Sequence, residues 1–392
     1  MKRFGRIGFA LLLAALCTTA AAKTDWRANR LTPLAKVTVG PWDNFEASVA
    51  DDESRLYYTR VINQIPSVYV QRLDRNDTEQ LIGDQGDAKD PVLSPDGSQL
   101  AVTFYGQDAQ GDVCLFHLAR ETIRCLTDAT TVDESPFWID AQHLGYLSRP
   151  TGQVDGQLIV HDLSADSKQR IHRGLLAAPV ASPDGRYILF NQTEARGEVL
   201  TKLYDRQSGT LVEPPPFDLS GITGFLPFSP DGQYLYFNHY LNDTNRDDVI
   251  DANDHSVTFR IPFQRWRNAE QPLLPEQLTS VANNCKFPAT SGRHLYLTCA
   301  YEGSLDIYRL PLTGAVPTQW DEADLWQAHD VARSYEDRLL LLDTLRYRYA
   351  HDDIAILERL VSNHLEIGEL TAAVYYVREL NRRYRAADQP RL

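Results

Sequence analysis

The chain has 392 residues, which exceeds one small domain and suits a large repeat domain with an appendage. Hydrophobic residues make up 43% and charged residues 23%, a composition typical of soluble globular proteins and not of disordered ones. The formal net charge of −14 indicates an acidic surface that repels nucleic acid and anionic lipid, so we expect neither as a partner.

The N-terminus predicts export, because basic residues precede a short apolar run and then small residues. These features are Lys2, Arg3 and Arg6, the run Ile7–Leu16, and Ala20-Ala21-Ala22. We therefore assign residues 1–22 to a signal peptide cleaved near Ala22, which leaves a periplasmic or secreted protein with a formal charge of −17. A retained anchor helix and lipid attachment at Cys17 are the alternatives. The apolar run is too short to span a bilayer, and no other stretch approaches that length.

A turn sequence repeats along most of the chain. Ser-Pro-Asp-Gly occurs at 94–97, 182–185 and 229–232, each time before a strand-like run, and this arrangement is typical of tight hairpin turns. Degenerate copies at 50–54, 138–142 and 289–292 fill the gaps. The turn positions 54, 97, 142, 185, 232 and 292 lie 43, 45, 43, 47 and 60 residues apart. The first four intervals match the length of one four-stranded propeller blade.

Six such units predict an all-β, six-bladed β-propeller over residues 23–316. The segment Leu34–Val39 precedes the first unit and is expected to form an outer strand on the last blade. From about Trp42 to Thr313 the repeats resemble the TolB-like family of WD-type β-propellers. This resemblance implies the propeller fold and an exported protein.

Four cysteines remain after removal of the signal peptide, and an even number in an exported protein favours disulfides. Four cysteines allow three pairings. On the propeller that the repeats imply, Cys114 and Cys125 lie on adjacent antiparallel strands, and Cys285 and Cys299 flank the turn at 291–292. We therefore expect these two local pairs, with free buried thiols as the alternative.

An acidic insertion over residues 243–254 lengthens the fifth unit and resembles EF-hand and dockerin-type calcium loops. Oxygen ligands stand at loop positions 1, 3, 5, 7, 9 and 12, the spacing that wraps a hard cation such as Ca²⁺. The predicted ligands are Asp243, Asn245, Asp247, the carbonyl of Val249, Asp251 and Asp254. Asp248 replaces the usual glycine and Asp254 the usual glutamate. We predict a structural Ca²⁺ site, with a solvated acidic turn as the alternative.

Residues 317–392 change to a helical period and predict an α-helical tail. Apolar residues at helical spacing occur over 325–332, 339–349, 354–367 and 371–384, with a break at Gly368-Glu369. Residues 360–373 resemble half of a tetratricopeptide repeat, in which small residues let two helices pack closely. We expect the tail to pack on the propeller or to dock on a partner.

The sequence contains no Gly-x-Ser-x-Gly elbow, His-Glu-x-x-His zinc site, phosphate loop or haem attachment site. The aspartates at 96, 184 and 231 belong to the repeated turns, so we predict a structural role for them. These observations predict a non-catalytic, exported scaffold that binds a protein or peptide through a propeller face and the tail. Two alternatives are a calcium-stabilised enzyme acting on polysaccharide, with carbohydrate as its ligand, and a calcium-dependent surface adhesin.

Overall fold

The computed structural model describes residues 34–312 except 107–108, 129, 220, 241–242, 245–246, 248, 274, 280–282 and 301–303. Nearer the C-terminus it describes residues 322–388 except 334, 336–337, 340, 343–344, 346–353 and 369. The predicted signal peptide, residues 1–22, lies outside the described residues.

Antiparallel strands dominate residues 35–311 and form five sheets, four with four strands and one with seven. The first two sheets contain β2 (Asp43–Val49), β3 (Arg55–Ile62), β4 (Ile65–Arg72) and β5 (Asp77–Ile82), then β6 (Ala88–Leu93), β7 (Gln99–Phe104), β8 (Asp112–His117) and β9 (Thr122–Cys125). The seven-stranded sheet contains β10 (Thr131–Trp138), β11 (His143–Pro150), β12 (Gly156–Asp162), β13 (Ser167–Ala181), β14 (Tyr187–Thr193), β15 (Val199–Asp205) and β16 (Thr210–Val212). The last two contain β17 (Ile222–Thr223), β18 (Tyr234–Tyr240), β19 (Ser256–Pro262) and β20 (Glu276–Gln277), then β21 (Cys285–Thr290), β22 (His294–Cys299), β23 (Asp306–Pro311) and β1 (Ala35–Lys36).

Strands that are consecutive in the chain pair within each sheet, except that β1 pairs with β23, and neighbouring sheets pack face to face. The strand after each Ser-Pro-Asp-Gly turn is buried on both faces; in β7, for example, Leu100, Ala101 and Val102 are fully buried. One hydrophobic cluster joins Tyr57 of the first sheet to Phe116 of the second. The all-β, propeller-like architecture predicted from the repeats is therefore confirmed.

Strand β13 explains why five sheets stand where six units were predicted. It is 15 residues long, and its first half pairs with β12 while its second half pairs with β14. Two repeat units thus share one strand and merge into the seven-stranded sheet. The count of six blades stays a prediction.

The first and last sheets meet at a junction built on Asp306. Strand β1 pairs with β23, so the predicted outer strand is present at residues 35–36. The Asp306 side chain is fully buried; its Oδ1 accepts hydrogen bonds from Thr38 Oγ1 (2.9 Å) and Asn44 Nδ2 (3.0 Å). Lys36 Nζ lies 2.9 Å from Asp306 Oδ2. One carboxylate therefore joins the start of the β region to its end.

The described helices are α1 (Phe263–Arg267), α2 (Glu322–Val331), α3 (Ile354–Glu366) and α4 (Leu370–Asp388). The last three lie in the tail and share a hydrophobic cluster that includes Leu325, Leu357 and Leu360. Gly368, at φ 79°, forms the predicted break between α3 and α4. Most of the predicted helical segment 339–349 lies outside the described residues. The helical tail is confirmed where it is described, and its tetratricopeptide character stays a prediction.

Candidate functional site

One backbone distortion recurs in the strands that precede the repeated turns. In β2, β6, β10, β13 and β21 the register shifts by a β-bulge, and in each bulge a non-glycine residue adopts positive φ. These residues are Glu46 (56°), Asp90 (55°), Ser135 (55°), Ala178 (50°) and Phe287 (49°). A proline follows four of them, and proline within a sheet is confined to edges and bulges because it has no N–H to donate. Repeated positive φ at non-glycine residues is a strained feature that surrounding structure must hold in place.

The five bulged residues all line one cavity with a volume of about 340 Å³. The remaining wall is largely apolar and includes Pro91, Pro136, Pro179, Pro227, Pro288, Phe137, Phe225 and Phe228. Every sheet contributes to this wall, so the cavity lies where the repeats converge. Its volume falls in the range of small-ligand sites, and like them it has a few polar groups in a mostly apolar lining.

A pair of carboxyl groups forms the polar side of the cavity. Glu46 Oε2 accepts hydrogen bonds from Thr59 Oγ1 (3.1 Å) and from the backbone N–H of Asp90 (3.2 Å). Asp90 Oδ2 accepts one from Thr103 Oγ1 (2.9 Å). Burial, and then the negative charge of Asp90, raise the pKa of Glu46 well above its usual range, although Lys89 opposes the shift. The pair can therefore hold a proton at a pH where exposed carboxyl groups have lost theirs.

Lys89 is the counter-ion of this cluster. Its Nζ lies 3.8 Å from both Asp90 Oδ2 and Glu134 Oε2. Burial lowers the pKa of Lys89, but Asp90, Tyr105, Glu46 and Glu134 outweigh it and raise that pKa overall. Lys89 is therefore a fixed positive charge among three acidic residues, and the cluster can accept hydrogen bonds or attract a cation.

Aromatic rings also line the cavity and pack on one another. Phe225 and Phe287 have ring centroids 4.5 Å apart, and Phe45 lies 6.1 Å from Phe287. Phe225 remains 36% exposed, a large fraction for an aromatic ring within a packed fold. The cavity therefore offers an aromatic wall and an acidic wall to one ligand.

The Ser-Pro-Asp-Gly turns are built as the sequence predicts. Each serine Oγ donates to the aspartate two residues later, and each glycine adopts positive φ. The three bonds are Ser94 to Asp96 (2.6 Å), Ser182 to Asp184 (2.5 Å) and Ser229 to Asp231 (2.6 Å), with φ of 69° at Gly97, 66° at Gly185 and 68° at Gly232. Hydrogen bonds from the paired serines lower the pKa of Asp96 and Asp231. These aspartates stabilise turns, and in the last unit Ser291 donates instead to Glu53 of the first unit.

A comparison with known families agrees with this geometry. The family model of the TolB beta propeller domain matches residues 44–253, more than half of the chain. The chain belongs to the TolB beta propeller domain family. No curated protein matches the sequence.

Solved structures with TM-scores above 0.5 support the same propeller fold. TolB from Acinetobacter baumannii is 15% identical with a TM-score of 0.49; the match covers 67% of this chain and 65% of that one. A structure from Agrobacterium tumefaciens that carries the TolB name is 18% identical, with a TM-score of 0.52 and coverage of 70% and 92%. A gluconolactonase from Xanthomonas campestris is 11% identical, with a TM-score of 0.52 and coverage of 74% and 93%. At such identities these likenesses concern the fold alone.

The acidic insertion of this TolB-family chain is held by its own hydrogen bonds. Asp254 is fully buried; its Oδ1 accepts from Thr244 Oγ1 (2.9 Å) and its Oδ2 from the Asp251 N–H (2.9 Å). The Val249 N–H donates to Asp247 Oδ1 (3.0 Å), and the Asp247 N–H to Asp243 Oδ1 (3.2 Å). Two further residues of the predicted calcium loop, Asn245 and Asp248, lie outside the described residues.

Within the described part of the chain, no three His, Cys, Asp or Glu side chains gather as a metal site. Asp243, Asp247, Asp251 and Asp254 are thus not brought around one point, and the calcium site stays a prediction. Lys286 reaches the loop from β21 and donates to the Ala252 carbonyl (2.7 Å). Since Phe287 follows Lys286, this contact links the acidic loop to the aromatic wall of the cavity.

Both predicted disulfides are present, Cys114–Cys125 and Cys285–Cys299. Each joins residues directly opposite each other on paired strands, β8 with β9 and β21 with β22. In the described residues we find no helix long and apolar enough to cross a bilayer.

Glu46 and Asp90 were not predictable as a pair from the sequence, because they lie 44 residues apart in the chain and belong to no familiar sequence pattern. One signal was available: a proline recurs inside the segment before the turn in five units, at 91, 136, 179, 227 and 288. Because such prolines indicate bulges, they could have marked the inner wall of the TolB-family propeller.

Proposed function

We propose that this protein is an exported, non-catalytic scaffold that binds a segment of a partner polypeptide where its repeats converge. The observation that carries this proposal is the cavity that Glu46 and Asp90 line together with Phe225 and Phe287. Such a site can hold an apolar side chain against the rings while the acidic wall accepts hydrogen bonds from backbone N–H groups or a basic side chain.

The wider architecture supports a scaffold of this kind. The two halves of β13 pair like the inner and outer strands of separate units, which supports six blades over residues 23–316. Two disulfides suit a periplasmic or secreted protein, in keeping with a signal peptide at residues 1–22. The helical tail, residues 317–392, supplies a second contact region.

Site-specific crosslinking in the producing cell tests the proposal. A photoreactive phenylalanine analogue replaces Phe225 in the full chain, and a matched protein carries it at Val154, which is 70% exposed and does not line the cavity. We expect one polypeptide adduct from position 225 and none from 154, and a weaker adduct when Asp90→Asn is added. Equal labelling at both positions, or no polypeptide adduct at 225, would overturn the proposal.

A second candidate function is polysaccharide cleavage, and the Glu46–Asp90 pair is the observation that favours it. A carboxylic acid that stays protonated beside an ionised one is the arrangement that general acid catalysis requires. Incubating the mature protein with polysaccharides and measuring new reducing ends or unsaturated products tests this function. Turnover that Glu46→Gln abolishes would establish it, and absence of turnover across neutral and acidic polysaccharides would reject it.

Calcium binding by residues 243–254 is part of the proposal, with a structural role. Since Asp254 already accepts hydrogen bonds from the loop, Asp243 and Asp251 are the better residues to test. We expect millimolar calcium, but not magnesium, to raise the melting temperature, as for extracellular modules with Kd values of about 10⁻⁴–10⁻³ M. The double variant Asp243→Asn/Asp251→Asn should lose this response. An unchanged melting temperature of the wild-type protein would reject calcium binding.

A further inference from the structure

Helix α4 exposes an apolar stripe along its outer face. Leu370 is 64% exposed, Val374 50%, Val377 38% and Tyr384 43%. They follow one another at intervals of four, three and seven residues, so all four lie on one side of the helix. Asn381 interrupts the stripe before Tyr384, whose hydroxyl donates a hydrogen bond to Glu358 of α3 (2.6 Å), so its fully apolar part is Leu370, Val374 and Val377. An exposed apolar stripe of this kind is typical of an interaction surface.

A different face of α4 holds the tail together. Ala373 is buried, and Tyr376 and Leu380 pack against the hydrophobic cluster of α2 and α3. The Tyr376 ring also stacks on His364 of α3, with centroids 5.3 Å apart. The helix therefore packs on α2 and α3 through one face, and within the described tail Leu370, Val374 and Val377 lie outside that hydrophobic cluster.

Positive charge lines one edge of the exposed stripe. Arg378 follows Val374 by four residues and Arg385 follows Arg378 by seven, which places both on the same edge. Both are exposed, and neither forms an ion pair with a carboxylate of the described residues. Arg382, by contrast, is paired with Glu379 at 2.8 Å. The chain as a whole carries a net charge of −14, so a basic edge stands out against its surroundings.

We propose that this surface docks an amphipathic helix of a partner protein, whose apolar face covers the stripe and whose acidic residues, seven apart, meet Arg378 and Arg385. The inference rests on the proposed scaffold function and gives the class of partner that the tail recognises. A second copy of α4 fits less well, because this helix carries four arginines against the two carboxylates of Glu379 and Asp388 and would bring like charge to the edge. Charge complementarity therefore favours an acidic helix from another polypeptide.

Fluorescence anisotropy with the full mature protein tests the proposal. The probe is a labelled 21-residue helical peptide with leucines at stripe spacing and glutamates seven apart on one edge; a second probe carries lysines in their place. We expect the glutamate probe to bind more tightly. Arg378→Glu/Arg385→Glu should weaken binding of the glutamate probe by about fivefold to tenfold and should make the lysine probe the better ligand. Val374→Ser/Val377→Ser should weaken both probes by at least about thirtyfold.

Arg120→Glu/Arg196→Glu is the matched control, because it makes the same change in net charge at exposed turns of the propeller. This control should bind the glutamate probe like the wild-type protein. Equal affinity for the two probes, no binding of either, or a wild-type dimer that Val374→Ser/Val377→Ser dissociates would each overturn the proposal. Crosslinking from position 225 does not depend on α4. A polypeptide adduct at position 225 without peptide binding by α4 would therefore reject this inference and leave the proposed function standing.

Discussion

Two glutamates of the first repeat, seven residues apart, sit in opposite surroundings. Glu46 lies on the cavity wall beside a second carboxyl group, and burial together with Asp90 raises its pKa. Glu53 lies at the junction of the first and last sheets, where it accepts a hydrogen bond from Ser291 and contacts His294 Nδ1 at 2.8 Å. Burial would raise the pKa of Glu53, but these contacts outweigh burial and lower it.

The surroundings of Glu53 suit a role in stability, and those of Glu46 suit a role in function. At the junction, Asp306 and Glu53 each accept bonds from several donors, so ionised carboxylates there stabilise the fold. At the cavity wall, Glu46 faces another acid on a backbone at positive φ, so its ionisation opposes folding. Strained residues with perturbed pKa values concentrate at functional sites, which is the pattern this cavity follows.

The largest effect is expected at the junction, from Asp306→Ala. The substitution removes the acceptor of the buried Thr38 and Asn44 side chains and one ion-pair partner of the exposed Lys36. Removing one member of a buried, paired set lowers the free energy of unfolding by about 3–5 kcal/mol. Urea denaturation of the mature protein measures this loss.

Asp184→Ala is the control for that prediction, because Asp184 is exposed and its bond to Ser182 stays within one turn. We expect the free energy of unfolding to fall by about 1 kcal/mol or less. Equal losses for the two variants would show that the junction is no more important to stability than an internal turn.

Glu46→Gln should stabilise the protein, by about 1 kcal/mol at pH 7–8, a usual size for relief of a destabilised functional site. An acid whose pKa is raised by folding makes the folded state less stable as pH rises from its ordinary value of 4.5 through the raised value. The advantage of the glutamine variant should therefore grow over that pH range and vanish below it. Urea midpoints of both proteins between pH 4 and 8 test this, and a constant difference would contradict it.

Glu53→Gln should destabilise the protein, in contrast to Glu46→Gln, and the effect should be smaller. We expect the free energy of unfolding to fall by about 0.5–1 kcal/mol at pH 7. Folding lowers the pKa of Glu53, so its contribution is complete above the ordinary value of 4.5 and is lost as pH falls through the lowered value. The wild-type protein and the variant should therefore converge in stability below pH 4.5, which acid titrations in urea measure. A gap that stays constant as pH falls would show that Glu53 acts through packing instead of charge.

The local features of this fold were predictable because each depends on neighbours in sequence. The Ser-Pro-Asp-Gly turns and the break at Gly368 follow from short segments, and the two disulfides follow once the repeats place each cysteine pair on adjacent strands. The merger at β13 was not predictable, because a single strand there continues where the repeat pattern implies two.

The cavity and the junction could not be predicted, because each joins residues far apart in the chain. Thr38 and Asp306 are separated by 268 residues, and no pattern in either segment identifies the other as its partner. Likewise Ser291 lacks the aspartate of its own turn, and only the fold shows that Glu53 replaces it. The prolines indicate bulges, but which bulged side chains meet depends on how the sheets are arranged.

The substitution Ala178→Gly tests backbone strain without changing charge, and its effect on stability should be the smallest. Ala178 adopts φ 50° in the bulge of β13. This conformation costs a residue with a Cβ about 1–2 kcal/mol of conformational energy, a cost that glycine does not have. Glycine also gains about 0.5–1 kcal/mol of entropy in the unfolded chain, so we expect a net stabilisation of about 0.5 kcal/mol. Ala47→Gly is the matched control: Ala47 follows the bulged residue of β2 and has no positive φ, so glycine there should destabilise by about 0.5–1 kcal/mol. If urea denaturation shows that Ala178→Gly stabilises the protein while Ala47→Gly destabilises it, the cavity wall stores strain in its backbone as well as in its carboxyl pair. Equal losses of stability in the two variants would confine the strain to Glu46 and Asp90.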